Sequence, residues 1–359
     1  MDKGHTTTDH PVVAADPIPA GRWLPWALLL PVALAGLAVT AATMGYIRIP
    51  FGEVVRIILA GVGGHSQGAA AVKPLWATVV MDVRLPRILC AALVGGGLAM
   101  SGAVYQGILL NPLADPYTLG VSAGAAFGAA IALLLNLTAT TLLSVPAFAF
   151  AGAVATLFLV IFLSSSAGGF SHNNLILAGI IVASILSAGI SFLKFIADEQ
   201  VSVIIFWLMG SFAARTWADV VLLGGVVALG AAVFIFFSRD LNLMALGKRS
   251  AQSLGVDTGK VRLILLVCAS LVAAICVAVA GIIGFVGLLV PHIVRMVSGP
   301  DNRGLIPLSL FLGAILLLAA DTVTRAVLPY EVPIGVITAL AGGPLFCYIF
   351  WKRQRSGGM

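Results

Sequence analysis

Residues Arg84 to Gly124 read RLPRILCAALVGGGLAMSGAVYQGILLNPLADPYTLGVSAG. From Ile88 to Ala114 no side chain carries a formal charge. The run is too long and too uniformly apolar for one face of a soluble helix, and its length suits a bilayer crossing. Asn111-Pro112-Leu113-Ala114-Asp115-Pro116 then interrupts it with turn-forming residues, and a second Gly/Ala-rich run follows. The pattern predicts two membrane helices joined by a tight, structured turn.

The rest of the chain agrees. Of 359 residues 60% are hydrophobic and 9% charged, against roughly a quarter charged in soluble domains. Long apolar runs, rather than short alternating ones, exclude a transmembrane barrel. The fold class is therefore all-α and polytopic. The 40 glycines suit close helix packing where water cannot drive association. Cys90, Cys268, Cys276 and Cys347 lie in apolar stretches without metal-ligand spacing and read as small packing residues. The net charge of +6 bears on orientation in the membrane, not on nucleic acid.

Ten spans are expected, at about 23–43, 85–106, 114–135, 142–164, 174–196, 217–237, 260–279, 283–298, 305–327 and 334–352. Residues 1–22 form a polar tail with no signal-peptide pattern, and 23–359 form the transmembrane domain. Phe51–Ala60 is an amphipathic surface stretch, and 198–210 a short helix returning toward the membrane. With both termini inside, twelve Lys and Arg fall on cytoplasmic segments and eight outside, the direction that positive-inside orientation requires. Arg84 and Arg87 oppose the bias. VRLPRILCAALV at 83–94 echoes VRLILLVCASLV at 261–272, and GILLNP at 107–112 echoes GLLVPH at 287–292. The two copies run in opposite directions, as in an inverted-repeat transporter core; two apolar helices can also resemble each other by chance.

Four patches carry a more specific signal: NPLADPYTLGVSAG at 111–124, MALGKRSAQSLGVD at 244–257, GIIGFVGLLVPHIVR at 281–295 and LLLAADTVTRAVLPYEVPIGVITALAGGPLF at 316–346. This set resembles the FecCD family, the permeases of type II ATP-binding-cassette importers for iron-siderophores, haem and vitamin B12. The resemblance runs from about residue 25 to the C-terminus. It implies an inverted-repeat permease in a bacterial plasma membrane, both termini cytoplasmic, working as a homodimer with two ATPase subunits and a substrate-binding protein. ATP and magnesium would belong to the ATPases, for the chain has no GxxxxGK[ST] cradle and no convincing catalytic set.

The resemblance also implies roles for particular residues. The polar interruption at 239–258 would be the coupling loop, two short helices joined near Gly247-Lys248. Leu246, Gly247, Lys248, Arg249, Ala251, Gln252, Leu254 and Gly255 would meet the ATPase, with Leu243, Leu246, Ala251 and Leu254 forming one apolar side. Arg84, Arg87 and Arg325 would receive acidic residues of the binding protein; anchoring in lipid headgroups is the other reading. Asn111 and Leu113, with His172 and Asn173, would narrow the cytoplasmic exit, although Asn and Pro turn chains in any protein and a loop histidine is often only solvated. His292 reads as structural. Asp321 lies four residues before Arg325, so an i,i+4 ion pair is available. An ion-coupled secondary transporter is the alternative function. It would bury several ionisable groups at mid-membrane and would leave the 239–262 loop without a purpose.

Overall fold

The structure is a computed structural model that describes residues 23–45, 47–63, 74–137, 144–166, 171–326 and 331–356. The 1–22 tail lies outside the described residues. All regular structure within them is helical: α1 Leu24–Thr43, α2 Phe51–Gly63, α3 Pro74–Ile108, α4 Val121–Leu134, α5 Ser144–Ser166, α6 His172–Ile196, α7 Val201–Leu208, α8 Trp217–Phe236, α9 Ser238–Met244, α10 Lys248–Ser253, α11 Thr258–Ala280, α12 Val286–Ser298, α13 Asn302–Ala326 and α14 Ile334–Ser356. Seven are long and apolar enough to cross a bilayer, and α4, α12 and α14 are shorter apolar helices. Together they fall on the ten expected spans. The amphipathic stretch forms α2, with Val54 and Ile57 buried and Phe51 and Leu59 exposed.

Two boundaries differ from the sequence reading. The second span begins at Pro74, not 85, and Val79–Arg84 winds as a π-helix within it. Pro86 follows directly. A proline ring presses on the carbonyl four residues back, here Asp82, and supplies no N–H. The wider turn lets the chain continue: the Leu85 N–H reaches the Val80 carbonyl and the Trp217 indole donates to the Met81 carbonyl at 3.0 Å. The third span's helix begins at Val121, not 114. Pro112 and Pro116 withhold donors, while the Asp115 carboxylate accepts from the Tyr117 and Thr118 N–H groups at 3.1 and 2.9 Å. Gly120, at φ +75°, then starts the helix from a left-handed position.

The 14-residue α4 and 13-residue α12 rise only about 20 Å each at ~1.5 Å per residue, short of the ~30 Å hydrocarbon core. Both are preceded by non-helical lead-ins, 111–120 and 281–285. Such backbone survives at membrane depth only where protein encloses it. Here the two lead-ins satisfy each other: the Tyr117 hydroxyl donates to the Ile283 carbonyl at 2.6 Å and accepts from the Ile283 N–H at 3.3 Å. Phe285, at φ +67°, begins α12 as Gly120 begins α4.

The repeat extends to packing. If α3–α6 correspond to α11–α14, the contact of α3 with α13 has its counterpart in α11 with α5, and that of α3 with α12 in α11 with α4. Equivalent helices are separated by an odd number of crossings, so the repeats are inverted. At the centre, α3 is mostly buried and its glycines set the interhelical spacing. A β-carbon added at Gly102 would overlap the Gly287 carbonyl of α12, and one at Gly95 the Gly313 carbonyl of α13.

Gly102→Ala should therefore destabilise the folded permease by about 1–3 kcal/mol, the usual cost of overpacking. Gly225→Ala on α8, with nothing near the added methyl, should be neutral or stabilising by up to ~1 kcal/mol. Thermal unfolding of both variants in detergent checks the order.

Candidate functional site

Three constellations lie along the bundle, two at one end and one at the other. α3 connects them: Arg87 to Ile108 is about 32 Å of helix at ~1.5 Å per residue.

At the Arg87 end the structure assigns the arginines differently from the sequence reading. Arg84 is only 6% exposed; its Nη1 donates to the Ala42 carbonyl at 2.6 Å and its Nη2 to the Ile47 carbonyl. Arg325 donates through Nη2 to the Ala41 carbonyl at 2.7 Å and through Nη1 to the Met44 carbonyl. The two guanidiniums thus cap the last turn of α1, whose carbonyls have no helical partner and carry the negative end of its dipole. They do not project as a free docking pair. Arg87 grips Asp321: Nε lies 3.1 Å and Nη2 2.9 Å from Oδ1. Its Nη1 reaches Glu331 Oε1 at 3.1 Å. Asp321 is 1% exposed, and its ion-pair partner is Arg87 on another helix, not the expected Arg325 on its own. Beside the pair lies a cavity of about 160 Å³ lined by Ser211, Phe212, Thr324 and Val332 as well as the ion pair. Phe206 of α7 and Gly210 also line it, and the Gly210 and Met209 carbonyls there accept from the Ile334 and Gly335 N–H groups.

At the other end of α3, Asn111 accepts from the Leu113 N–H at 2.9 Å, closing a local turn that leaves the Leu113 side chain exposed. Ser171 caps α6 by accepting from the Asn174 N–H at 3.1 Å. The His172 ring lies beside the Ile108 carbonyl at the end of α3, so the structure brings the two expected gate loops together within one protomer; Asn173 is exposed beside them. Sequence reasoning missed Gln106 and Arg295. Gln106 donates to the Leu288 carbonyl at 3.1 Å and accepts from Arg295 Nη1 at 2.9 Å, locking the end of α3 to α12. A glutamine in an otherwise apolar span is the signal that could have marked it.

The coupling segment lies at this same end, with Leu241 of α9 packed on Gly107 of α3. The expected helix pair forms as α9 and α10, joined at Gly247 (φ +101°) and closed at Gly255 (φ +87°). Its apolar residues do not share one side. Ala251 is fully buried and Leu243 packs on the core, whereas Leu246 and Leu254 stand 64% and 59% exposed. Lys248, Arg249 and Gln252, between them in the chain, are exposed as well. α10 follows directly on the positive-φ turn at Gly247, and of its residues only Ala251 is buried. The pair is fixed from below. Asn242 donates to Asp301 at 2.7 Å and accepts from the Asn302 N–H at 2.9 Å, tying α9 to the start of α13. Asp257 caps α11 by accepting from the Lys260 N–H at 3.2 Å, and that bond, with the Lys260 ammonium, holds its carboxyl below the usual carboxylate range.

Among the described residues, seven long apolar helices and three shorter ones, packed as inverted halves with an exposed helix pair at one end, define a polytopic membrane protein. The chain belongs to the FecCD transport family, whose sequence model matches residues 32–352, and is a permease subunit of an ATP-binding-cassette importer. It is 40% identical over 328 residues to the ABC transporter permease protein YvrB of Bacillus subtilis, covering 90% of this chain and 92% of that one. It is 39% identical over 330 residues to the cobalamin import system permease protein BtuC of Halobacterium salinarum, covering 90% and 89%. A solved structure described as an inward-facing conformation of a metal-chelate type ABC transporter superposes with a TM-score of 0.80 at 33% identity, covering 92% of this chain and 99% of that one.

Replacing Arg87 with Met strands the buried Asp321 carboxylate and should cost about 3–5 kcal/mol. The double variant Arg87→Met/Asp321→Leu leaves no buried charge and should recover most of that loss. Unfolding midpoints of the two variants measure the difference.

Proposed function

We propose that this permease imports a bulky metal chelate, of the siderophore, corrinoid or haem kind, delivered by a substrate-binding protein at the Arg87 end and released past the 109–113 and 171–174 loops. The observation that carries the reading is the exposure of Leu246 and Leu254 on a helix pair held rigidly by Asn242, Asp301 and Asn302. Two exposed large apolar side chains among basic and polar ones in the chain have the composition of a docking surface for a soluble protein. In this reading the partner is a cytoplasmic ATPase, two copies serve a permease homodimer, and ATP and magnesium bind there. Both termini are then cytoplasmic, in line with the twelve-to-eight distribution of basic residues, and the protein resides in the plasma membrane of a bacterium. The metal-chelate class of the structural neighbour and the cobalamin named for the Halobacterium salinarum relative support the cargo class. Ion-coupled transport is disfavoured because Asp321, the buried acid it would use, is neutralised by Arg87.

Leu246→Asp/Leu254→Asp should leave membrane insertion intact, since no spanning segment changes. It should reduce ATP-driven uptake at least tenfold in proteoliposomes holding permease, ATPase and binding protein. Uptake at the wild-type rate would rule out this surface as the ATPase contact.

The gate assignment makes a separate expectation. A two-fold dimer brings identical residues face to face across its axis. With native cysteines removed, Cys at position 172 or 173 should cross-link two protomers in an inward-closed state and block uptake until reduced. Cross-links that form without slowing uptake, or none in any nucleotide state, would exclude these loops as the gate.

A further inference from the structure

At the Arg87 end Arg84, Arg87 and Arg325 lie near Asp321, Glu331 and a cavity, but the two acids have different settings. Asp321 is buried and takes the Nε and Nη2 edge of Arg87. Glu331 is 56% exposed and takes Nη1, the nitrogen left over. Arg84 and Arg325 spend their bonds on backbone carbonyls at and just beyond the end of α1, so neither holds a carboxylate that could be exchanged. Arg87 is thus the guanidinium with an exchangeable partner. We propose that Glu331 is an internal substitute for a docking protein's acidic side chain: it occupies Nη1 of Arg87 when the permease is alone, and a carboxylate of the binding protein displaces it. The inference rests on the docking reading above and narrows it to one residue and one exchange.

The geometry supports the exchange in two ways. Asp321 fixes the guanidinium by a buried two-nitrogen contact, so Nη1 keeps its direction whether or not Glu331 is present. The adjoining cavity of about 160 Å³, lined by Arg87, Asp321, Thr324 and Glu331 among others, has room for a carboxylate beside the one already there. The consequence is a threshold. Replacing one exposed carboxylate with another gains little by itself, so a ligand offering only an acid is not held. A partner that adds contacts elsewhere is held, which is discrimination by competition rather than by added attraction. Asp321 is on this account a positioning residue and Glu331 a competitor.

The test uses the full-length permease in nanodiscs and, as probe, the purified substrate-binding protein of the same import system. At low salt Glu331→Gln should tighten binding on the order of two- to fivefold, the range of one exposed ion pair, and the gain should shrink as salt rises. In the Arg87→Met/Asp321→Leu background, which strands no charge, binding should be weaker and Glu331→Gln should have no effect. An equal gain in that background would mean that Glu331 merely repels acidic partners through its field, and would overturn the exchange. So would weaker binding on loss of Arg87 with no gain from Glu331→Gln; docking at Arg87 would then stand without the substitute. If losing Arg87 leaves affinity unchanged, the docking reading falls and the exchange with it. A partner-free arm reads the masking directly: phenylglyoxal, mapped by mass spectrometry, should modify Arg87 several-fold faster in Glu331→Gln than in wild type, and equal rates would overturn the proposal.

Discussion

The close approach of α3 to α12 and α13 is the contact on which the rest of the bundle depends. It is made backbone to backbone, at Gly102 against Gly287 and Gly95 against Gly313. In lipid, apolar side chains gain little by touching one another instead of acyl chains, so tight van der Waals packing must supply the association. Small residues permit it. Because α3 is enclosed on several sides by α8, α11, α12 and α13, a shift in any of them is felt along its length, from Arg87 at one end to Ile108 at the other.

The same enclosure makes the two broken spans tolerable. The 111–120 and 281–285 lead-ins would be unsatisfied in lipid. Enclosed in protein, they exchange hydrogen bonds through Tyr117 and Ile283 and complete their turns through Asp115. The result is a pair of short helices crossing from opposite directions, linked at their starts. Irregular backbone sits in the inner part of the bundle, while long regular helices such as α1 and α6 present most of their surface outward.

α13 links the two ends as directly as α3 does. Its first residue, Asn302, is bonded to Asn242 of the coupling pair, and its last turns carry Asp321 and Arg325. Arg325 holds the end of α1 and Asp321 holds Arg87. One 25-residue helix therefore touches both the surface proposed for the ATPase and the one proposed for the binding protein. A displacement of α9 by an ATPase would bear on α13 through side-chain hydrogen bonds and not through a flexible loop.

The sequence alone determined the all-helical class, the ten spans, the helix pair around Gly247 and the family, because hydropathy over twenty residues and turn chemistry are local properties written in residue order. The inverted repeat was legible as two echoing segments. Tertiary structure decided the partners. Nothing in the spacing of Asp321 and Arg325 indicates that the acid would pair with Arg87 instead, or that Arg84 and Arg325 would both turn to the end of α1; those choices depend on which helix ends meet in space. The extension of α3 back to Pro74 depended on a π-turn that relieves Pro86, and the late start of α4 on where two prolines and an aspartate spend their hydrogen bonds. The separation of Leu246 and Leu254 from Ala251 depended on how the helix pair joined at Gly247 packs on the bundle. Each of these is settled by burial and by the need of every polar group in the membrane for a partner, and that need is met across the bundle, not along the chain.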